Sequence, residues 1–182
     1  MNRGLTETLK KEFVDLKPIN RPMVPEKPKN LNPYWVSGFV AAEGCFYVQL
    51  YKAKTKIGYA ISLLFVVSQK SRDFELLSSF IDFFSCGQIK KDSRDLNSVI
   101  YFNVTKFTDI FEKVIPFFKE YPIIGNKSVD FADFTKVSLL IKDKVHLTEK
   151  GLKDISGIKN SMNKRRVAAE PRSAAGSTSS FS

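Results

Sequence analysis

The stretch NPYWVSGFVAAEGCFYVQL, residues 32–50, constrains the fold more than any other part of the chain. Its first half has the small, apolar composition of a packed helix, which Asn32 can cap and Pro33 can begin. Its second half alternates between apolar and polar residues, as a half-buried strand does. We therefore predict a helix over residues 33–43, ended by Gly44, that leads directly into a strand over 45–53.

The same alternation recurs later in the chain. It predicts strands over residues 59–69 and 98–105, and CGQIKKD fits a short strand after a glycine turn. Apolar spacing predicts further helices over residues 72–84, 107–121, 125–144 and 147–166. The predicted fold class is therefore α+β: a curved, four-stranded antiparallel sheet with helices on one face, in the order α-β-β-α-β-β-α.

Three polar or proline residues predict details of the later helices. Pro116 predicts a break in the helix over 107–121, and Asn126 predicts a cap for the helix that follows it. Thr148 and Gly151 satisfy only part of a capping box at the last helix.

The two ends of the chain differ in composition from the middle. Residues 1–31 predict a short amphipathic helix over 4–14, followed by a proline-rich linker to which a further N-terminal segment would have been attached. Residues 32–166 form the predicted domain, and the low-complexity residues 167–182 predict a disordered tail.

Composition narrows the class of partner. The 182 residues are 43% hydrophobic, enough for one domain with a core, and carry a net charge of +10. That charge favours nucleic acid over an anionic membrane surface, because the sequence has neither an 18-residue apolar run nor a basic amphipathic helix with a strongly apolar face. We expect no membrane partner; the alternative to nucleic acid is a soluble basic protein without a polyanionic ligand.

The reactive residues exclude several kinds of site. Cys45 and Cys86 are too few for a disulfide framework and favour a reducing compartment, while His146, the single histidine, forms no zinc pattern with them. Residues 1–20 lack the apolar core of a signal peptide and have little arginine, so we expect no secretory or transit peptide.

Glu43 lies at the end of the predicted helix, where the helix dipole is negative and no Lys or Arg is within four residues. A bound cation would make a carboxylate favourable there, and Mg²⁺ needs only one or two carboxylates besides water and phosphate oxygens. Two such helices side by side would bring two carboxylates to one phosphodiester. The alternative is an exposed glutamate without a function.

Small residues one turn apart on the same helix would allow a second helix to approach closely. We therefore predict a helix–helix interface formed by Trp35, Ser37, Gly38, Ala41 and Ala42. The alternative is that these residues pack beneath the domain's own sheet.

WVSGFVAAEGCF resembles the signature of LAGLIDADG homing endonucleases, and the predicted order of helices and strands matches the repeat of that family. VVSQKSRD, CGQIKK and IIGNKSVDF agree as well, so the resemblance covers residues 32–165. These segments are most similar to the C-terminal repeat of the I-OnuI-like, single-chain branch. Residues 1–31 resemble the linker between the two repeats of that branch.

The resemblance implies roles for individual residues. Glu43 corresponds to the acid that binds the metal and organises the attacking water, with Ala42 and the Gly44 carbonyl beside it as metal-site residues. Gln69 corresponds to a polar residue that contacts the water network, and Lys127 to a basic residue whose positive charge can stabilise the charge that develops on the phosphate. Alternatively, Gln69 ends its strand and Lys127 is solvated, although a lysine near a helix N-terminus is electrostatically disfavoured.

The outward positions of the four strands and the basic residues at their turns form the predicted DNA-binding face, which would contact base edges and phosphates in the major groove. An ordinary solvated face is the alternative. The predicted DNA-binding residues are Cys45, Tyr47, Gln49, Tyr51, Lys52, Lys54, Lys56, Ala60, Ser62, Leu64, Val66, Ser68, Lys70, Arg72, Gln88, Lys90, Arg94, Tyr101, Asn103 and Thr105.

By resemblance, the expected function is intron homing: Mg²⁺-dependent cleavage, or cleavage with Mn²⁺ or Ca²⁺ in the same site, of a duplex of roughly 20 base pairs, about two turns of DNA. Ala41 stands where the family often has a second acid. One signature helix predicts a second repeat as partner, either in a homodimer or as a missing N-terminal half. A fungal mitochondrial intron gene is the expected origin. The alternatives are an RNA-binding maturase and a catalytically incomplete DNA-binding domain.

Overall fold

The computed structural model describes residues 6–15, 28, 30–91 and 99–163. Helices and strands follow one another in the predicted order. The elements are α1 (Glu7–Glu12), α2 (Pro33–Glu43), β1 (Gly44–Lys52), β2 (Tyr59–Lys70), α3 (Phe74–Phe84), β3 (Gln88–Lys91), β4 (Val99–Val104), α4 (Phe107–Asp109), α5 (Ile115–Glu120), α6 (Lys127–Lys142) and α7 (Glu149–Ser161). A π-helical turn, Ile110–Val114, joins α4 to α5, and short 3₁₀ turns precede α3 and α7.

The four strands form one antiparallel sheet in the order β1-β2-β4-β3. Gly44 pairs with Val67 where β1 begins, and Val66 pairs with Asn103 in the middle of the sheet. The predicted α+β fold class, with a four-stranded antiparallel sheet and helices, is therefore confirmed.

The core lies between the inner face of the sheet and the helices. Phe46, Phe65 and Phe102 stand at inward positions of three neighbouring strands and are fully buried. Their rings contact one another and those of the helices; the Phe46 and Phe65 centroids, for example, are 5.3 Å apart. Each buried phenylalanine stabilises the fold by about 2–3 kcal/mol, so this aromatic layer fixes which face of the sheet remains open.

Helix α2 begins and ends as the sequence predicts. The Asn32 side chain accepts hydrogen bonds from the backbone N–H groups of Tyr34, at 2.9 Å, and Trp35, at 3.2 Å. At the other end Gly44 is extended, with a φ of −81°, so a left-handed turn is not what requires glycine. A Cβ atom on Gly44 would lie 2.5 Å from Cγ1 of Val40 and 2.7 Å from the Val40 carbonyl oxygen. Glycine is required because the chain enters β1 directly against the last turn of α2.

Pro116 does not break its helix, contrary to the prediction. The chain stays helical from Phe107 to Glu120, and Ile110–Val114, just before the proline, is wound as a π-helix. Proline lacks an N–H donor and its ring crowds the preceding turn, and the wider π turn accommodates both effects. Buried Ile115 and Phe118 hold the helix against the core on the far side.

Other predicted helix ends differ in detail. Asn126 precedes α6 but forms no side-chain cap; Ser128 instead donates a hydrogen bond to the Gly125 carbonyl at 2.7 Å. The Thr148 hydroxyl accepts from the Gly151 N–H at 3.0 Å, as half of a capping box, and α7 ends at Ser161, earlier than predicted.

The N-terminal helix is shorter than predicted. It covers Glu7–Glu12 with Thr6 as its cap, and Leu9 and Phe13 are exposed, so its apolar stripe is not buried within the described residues. Most of the predicted linker, Arg94 and the predicted tail lie outside the described residues. Among the described helices, none has the length and apolar character needed to cross a membrane.

Candidate functional site

The C-terminal end of α2 combines a carboxylate with exposed backbone oxygens. Glu43 is the last residue of the helix and is exposed, and within the described residues its carboxylate has no ion-pair partner. The last carbonyl groups of a helix lack partners in the helix itself and carry its negative dipole end. The sequence thus produces a concentrated negative potential at this point.

Lys127, the first residue of α6, supplies positive charge to that point. Its ammonium group donates hydrogen bonds to the carbonyl oxygen of Gly44 and, at 3.5 Å, to that of Ala42. These two carbonyls flank Glu43. We refer to Ala42, Glu43, Gly44 and Lys127 as the α2 corner.

Gln69 belongs to the same end of the sheet. Gly44 pairs with Val67, so Gln69 lies two residues further along β2, beside the point where α2 enters β1. Its side chain is half-buried and has no hydrogen-bond partner within the described residues. The structure therefore brings Glu43 and Lys127 together through the flanking carbonyls, and register brings Gln69 to the same edge.

The oxygen atoms of the α2 corner could supply part of the coordination shell of a hard cation such as Mg²⁺. The Glu43 carboxylate and the carbonyl groups of Ala42 and Gly44 are ligand types that Mg²⁺ accepts. The two carbonyl oxygens already bind one cation, the Lys127 ammonium group. In the described part of the chain, no group of three or more His, Cys, Asp or Glu side chains could hold a metal ion. The remaining ligands of a divalent ion would have to be water, phosphate or a carboxylate from another repeat.

Asn163, which the sequence analysis did not identify, braces the start of β1 next to the α2 corner. Its side-chain amide donates to the Phe46 carbonyl at 3.0 Å and accepts from the Cys45 thiol at 3.2 Å. Its backbone N–H donates to the Asp130 carboxylate at 3.0 Å, one turn beyond Lys127. The signal in the sequence was weak. Asn163 lies two residues after α7 and has a positive φ of 54°, which asparagine adopts more readily than most residues other than glycine.

Cys45 is therefore less available than predicted. It is half-buried, and burial raises the pKa of its thiol, an effect that Tyr47 and the nearby Lys127 oppose. Cys45 is thus a neutral, hydrogen-bonded group at the edge of the sheet's outer surface.

The predicted outward residues share one face of the sheet, which we call the open face. Cross-strand pairing places Cys45, Val66, Asn103 and Gln88 in one row across all four strands. A second row contains Ser68, Tyr101 and Lys90, and the pairs toward the far end of β1 are Tyr47 with Leu64, Gln49 with Ser62 and Tyr51 with Ala60. Thr105 follows β4 directly.

Polar groups and lysines dominate the exposed part of the open face and its turns. Tyr47 is 43% exposed, and its hydrogen bond with Cys45 raises the pKa of the phenol to about 12, so it remains a neutral donor. The Ser62 hydroxyl donates to the Gln49 side-chain oxygen at 3.2 Å. The surrounding exposed cations are Lys52, Lys54, Lys56, Lys70, Arg72 and Lys90, of which Arg72 contacts the Asp73 carboxylate.

The residues of the predicted helix–helix interface lie on two different sides of α2. Ser37 is only 4% exposed and donates a hydrogen bond to the Tyr121 carbonyl at 2.7 Å, so its assignment to an exposed interface is wrong. Trp35, Gly38 and Ala42 are exposed on the opposite side, and Ala41 is half-buried at its edge. A Cβ atom on Gly38 would meet no atom of the described residues within 4 Å. Tyr34 is exposed next to these residues, although its ring packs edge-to-face against Tyr121. We call Tyr34, Trp35, Gly38 and Ala42 the outer face of α2.

Similar proteins were found by sequence and by structure. The chain is 39% identical over 156 residues to a Neurospora crassa protein described as probable intron-encoded endonuclease 3, an alignment that covers 86% of this chain and 29% of that protein. The I-SmaMI LAGLIDADG homing endonuclease bound to cleaved DNA matches with a TM-score of 0.83 and 40% identity over 92% of this chain. I-SmaMI bound to an uncleaved DNA target in the presence of calcium ions matches with a TM-score of 0.81 and 41% identity over 90% of this chain.

The chain spans less than a third of that curated relative and 55% of each of the two solved chains. The family model described as LAGLIDADG endonuclease matches residues 36–138, which contain most of α2, the whole sheet and the first three turns of α6. The chain belongs to the LAGLIDADG endonuclease family.

Proposed function

We propose that this chain is one repeat of a site-specific DNA endonuclease that cleaves a long duplex site in intron homing. The observation that carries the proposal is the position of Glu43, an exposed acid at the end of α2 beside a polar sheet face ringed by lysines. Family membership supports the reaction class. The similarity to solved endonucleases bound to DNA supports the substrate.

In this proposal Glu43 is a metal ligand, and the carbonyl oxygens of Ala42 and Gly44 lie beside it. A bound Mg²⁺, or Mn²⁺ or Ca²⁺ in its place, would lower the pKa of a water molecule and shield the charge that develops on phosphate. Glu43 orients that water, Gln69 contacts the water network, and Lys127 supplies positive charge to the phosphodiester. The presence of calcium ions in one similar complex supports a divalent ion as cofactor.

The open face is the proposed DNA-binding surface. Its tyrosine, amide and hydroxyl groups would contact base edges in the major groove, and the lysines at its turns would contact phosphates. The net charge of +10 supports this assignment, because phosphate neutralisation provides much of the affinity of DNA-binding proteins.

The outer face of α2 is the proposed contact with a second LAGLIDADG repeat. Its partner is the same face of a second copy or of an N-terminal repeat in a longer, I-OnuI-like chain. The greater length of the solved relatives supports the second arrangement. The intron-encoded description of the fungal relative supports an origin in an organellar, mitochondrial gene.

Cleavage of a randomised duplex library with Mg²⁺, read by sequencing the new ends, tests the proposal. The chain is assayed alone and with a second repeat supplied as a separate polypeptide. We expect double-strand cleavage in at least one case, and Glu43→Gln should reduce it by about 10³-fold or more, since the metal site is lost. Glu149→Gln, at another exposed helical glutamate, is the matched control. No cleavage in either case, or cleavage that survives Glu43→Gln, contradicts the proposal.

A further inference from the structure

Lys127 is positioned unusually for a lysine. It begins α6, where the positive end of the helix dipole disfavours a cation, and its side chain is half-buried. It is nevertheless held by two hydrogen bonds to the end of α2, where the dipole is negative. The interaction with α2 therefore offsets an unfavourable position in its own helix.

The carbonyl oxygens that Lys127 contacts are those expected beside the metal. The Ala42 and Gly44 carbonyls flank Glu43, and a divalent ion bound to Glu43 near them would lie close to the ammonium group. Two cations at the same oxygens repel each other, and the shared carbonyl dipoles stabilise either cation better alone.

We propose that Lys127 and the divalent cation compete for the carbonyl oxygens of Ala42 and Gly44, with Lys127 acting as the internal cation of the α2 corner when no metal is bound. The inference rests on the proposed function, because it requires metal binding at Glu43. It assigns Lys127 a second effect beyond any contact with phosphate: it lowers the metal affinity of the chain without DNA.

The test is a Mn²⁺ titration of the full chain without DNA, in which free Mn²⁺ is measured by electron paramagnetic resonance. Lys127→Met removes the charge and keeps a similar side-chain length, so we expect it to bind Mn²⁺ about tenfold more tightly than the unmodified chain. Lys136→Met removes an exposed lysine from the same helix and should leave Mn²⁺ binding unchanged. Glu43→Gln should abolish Mn²⁺ binding, both as a single substitution and in combination with Lys127→Met.

Thermal unfolding gives a second measurement. Without metal, Lys127→Met should melt about 2–4 °C lower, because the end of α2 loses its internal cation, and excess Mn²⁺ should narrow that difference. If Lys127→Met does not fold, Lys127→Gln replaces it, since it removes the charge and keeps a hydrogen-bond donor.

The outcomes separate the inference from the proposed function. Binding that depends on Glu43 but is equal or weaker in Lys127→Met overturns the competition and leaves the proposed metal site standing. Mn²⁺ binding that is absent from every variant, or unaffected by Glu43→Gln, overturns the competition. The proposed metal site, whose remaining ligands include DNA phosphate, is then tested separately by the cleavage assay with Glu43→Gln.

Discussion

The outer face of α2 and the open face of the sheet are both left uncovered by the residues that the structure describes, but they differ in chemistry. The first carries two aromatic rings, a glycine and an alanine and has no charged side chain. The second carries phenols, amides and hydroxyls and is bordered by lysines. An uncharged face with open space at Gly38 suits another helix, whereas the sheet suits a hydrogen-bonding polyanion. Glu43 ends α2 and directly precedes β1, so under the proposed function a second helix and a DNA strand would both reach this carboxylate.

Of the substitutions on the two faces, the largest expected effect comes from a charge on the outer face of α2. Gly38→Asp should weaken association with a second repeat about 100-fold, because an unpaired carboxylate at a packed helix interface costs about 3 kcal/mol. Sedimentation equilibrium of the chain, alone and with a supplied repeat, measures it.

Gly157→Asp is the matched control, because Gly157 is also an exposed helical glycine with no atom within 4 Å of an added Cβ. Both variants should unfold at nearly the same urea concentration as the original chain. Equal association of the two variants would show that the outer face of α2 is not the contact.

Removal of positive charge from the border of the open face should weaken DNA binding and leave association with a second repeat unchanged. Lys52→Ala combined with Lys54→Ala should weaken binding to the library duplexes about tenfold and lower the salt slope of log K by about 2, as expected for two lost phosphate contacts. Fluorescence anisotropy at several salt concentrations measures both quantities.

The double variant Lys150→Ala and Lys153→Ala removes the same charge from exposed positions on α7. A similar loss of affinity in that variant would mean that net charge, rather than the open face, determines DNA binding.

Two alanine substitutions compare the local space at the C-terminal end of α2 with that on its outer face. Gly44→Ala should destabilise the chain by about 2 kcal/mol, since its Cβ would overlap the Val40 backbone. Gly38→Ala should be neutral or stabilising by up to about 1 kcal/mol, because an exposed helical glycine is replaced without a clash. Urea unfolding gives the change in the free energy of unfolding for both substitutions. If both changes have the same sign, the local space at Gly44 and Gly38 does not differ as described.

The smallest expected effect is the pH dependence of Tyr47. Its pKa is raised from 10.0 to about 12 in the folded chain, so between these values the unfolded state loses the proton first and stability falls as pH rises. The change is small because the side chain is substantially exposed. In Tyr47→Phe, the decline in melting temperature over this range should be shallower and the highest-pH step in tyrosinate absorbance should disappear; an unchanged titration curve would contradict the assignment.

The sheet was predictable because each strand has one covered face. The predicted strands 45–53 and 59–69 are observed as Gly44–Lys52 and Tyr59–Lys70, and the inward phenylalanines are those that alternation selects. Glu43 was identified as a candidate for a local reason as well, since the sequence shows an acid at the negative end of a helix with no Lys or Arg within four residues.

Contacts between distant segments were not predictable. Ser37 and Gly38 are neighbours with small side chains, but Ser37 is buried and bonds to the Tyr121 carbonyl, 84 residues later in the chain, whereas Gly38 is exposed. Lys127 could be chosen by resemblance, but its carbonyl partners lie more than 80 residues earlier in the chain. The break predicted at Pro116 was wrong because packing of the flanking residues maintains the helix through a π turn.

The bonds made by Asn163 have a consequence for synthesis on the ribosome. This residue closes hydrogen bonds to Cys45 and Phe46, which are made more than 110 residues earlier. Since the polypeptide emerges in order, the start of β1 remains without its brace until residue 163 has left the exit tunnel. The segment that carries Glu43 is therefore translated more than 110 residues before its brace, so premature termination just before this asparagine would yield a chain whose α2 corner is unbraced.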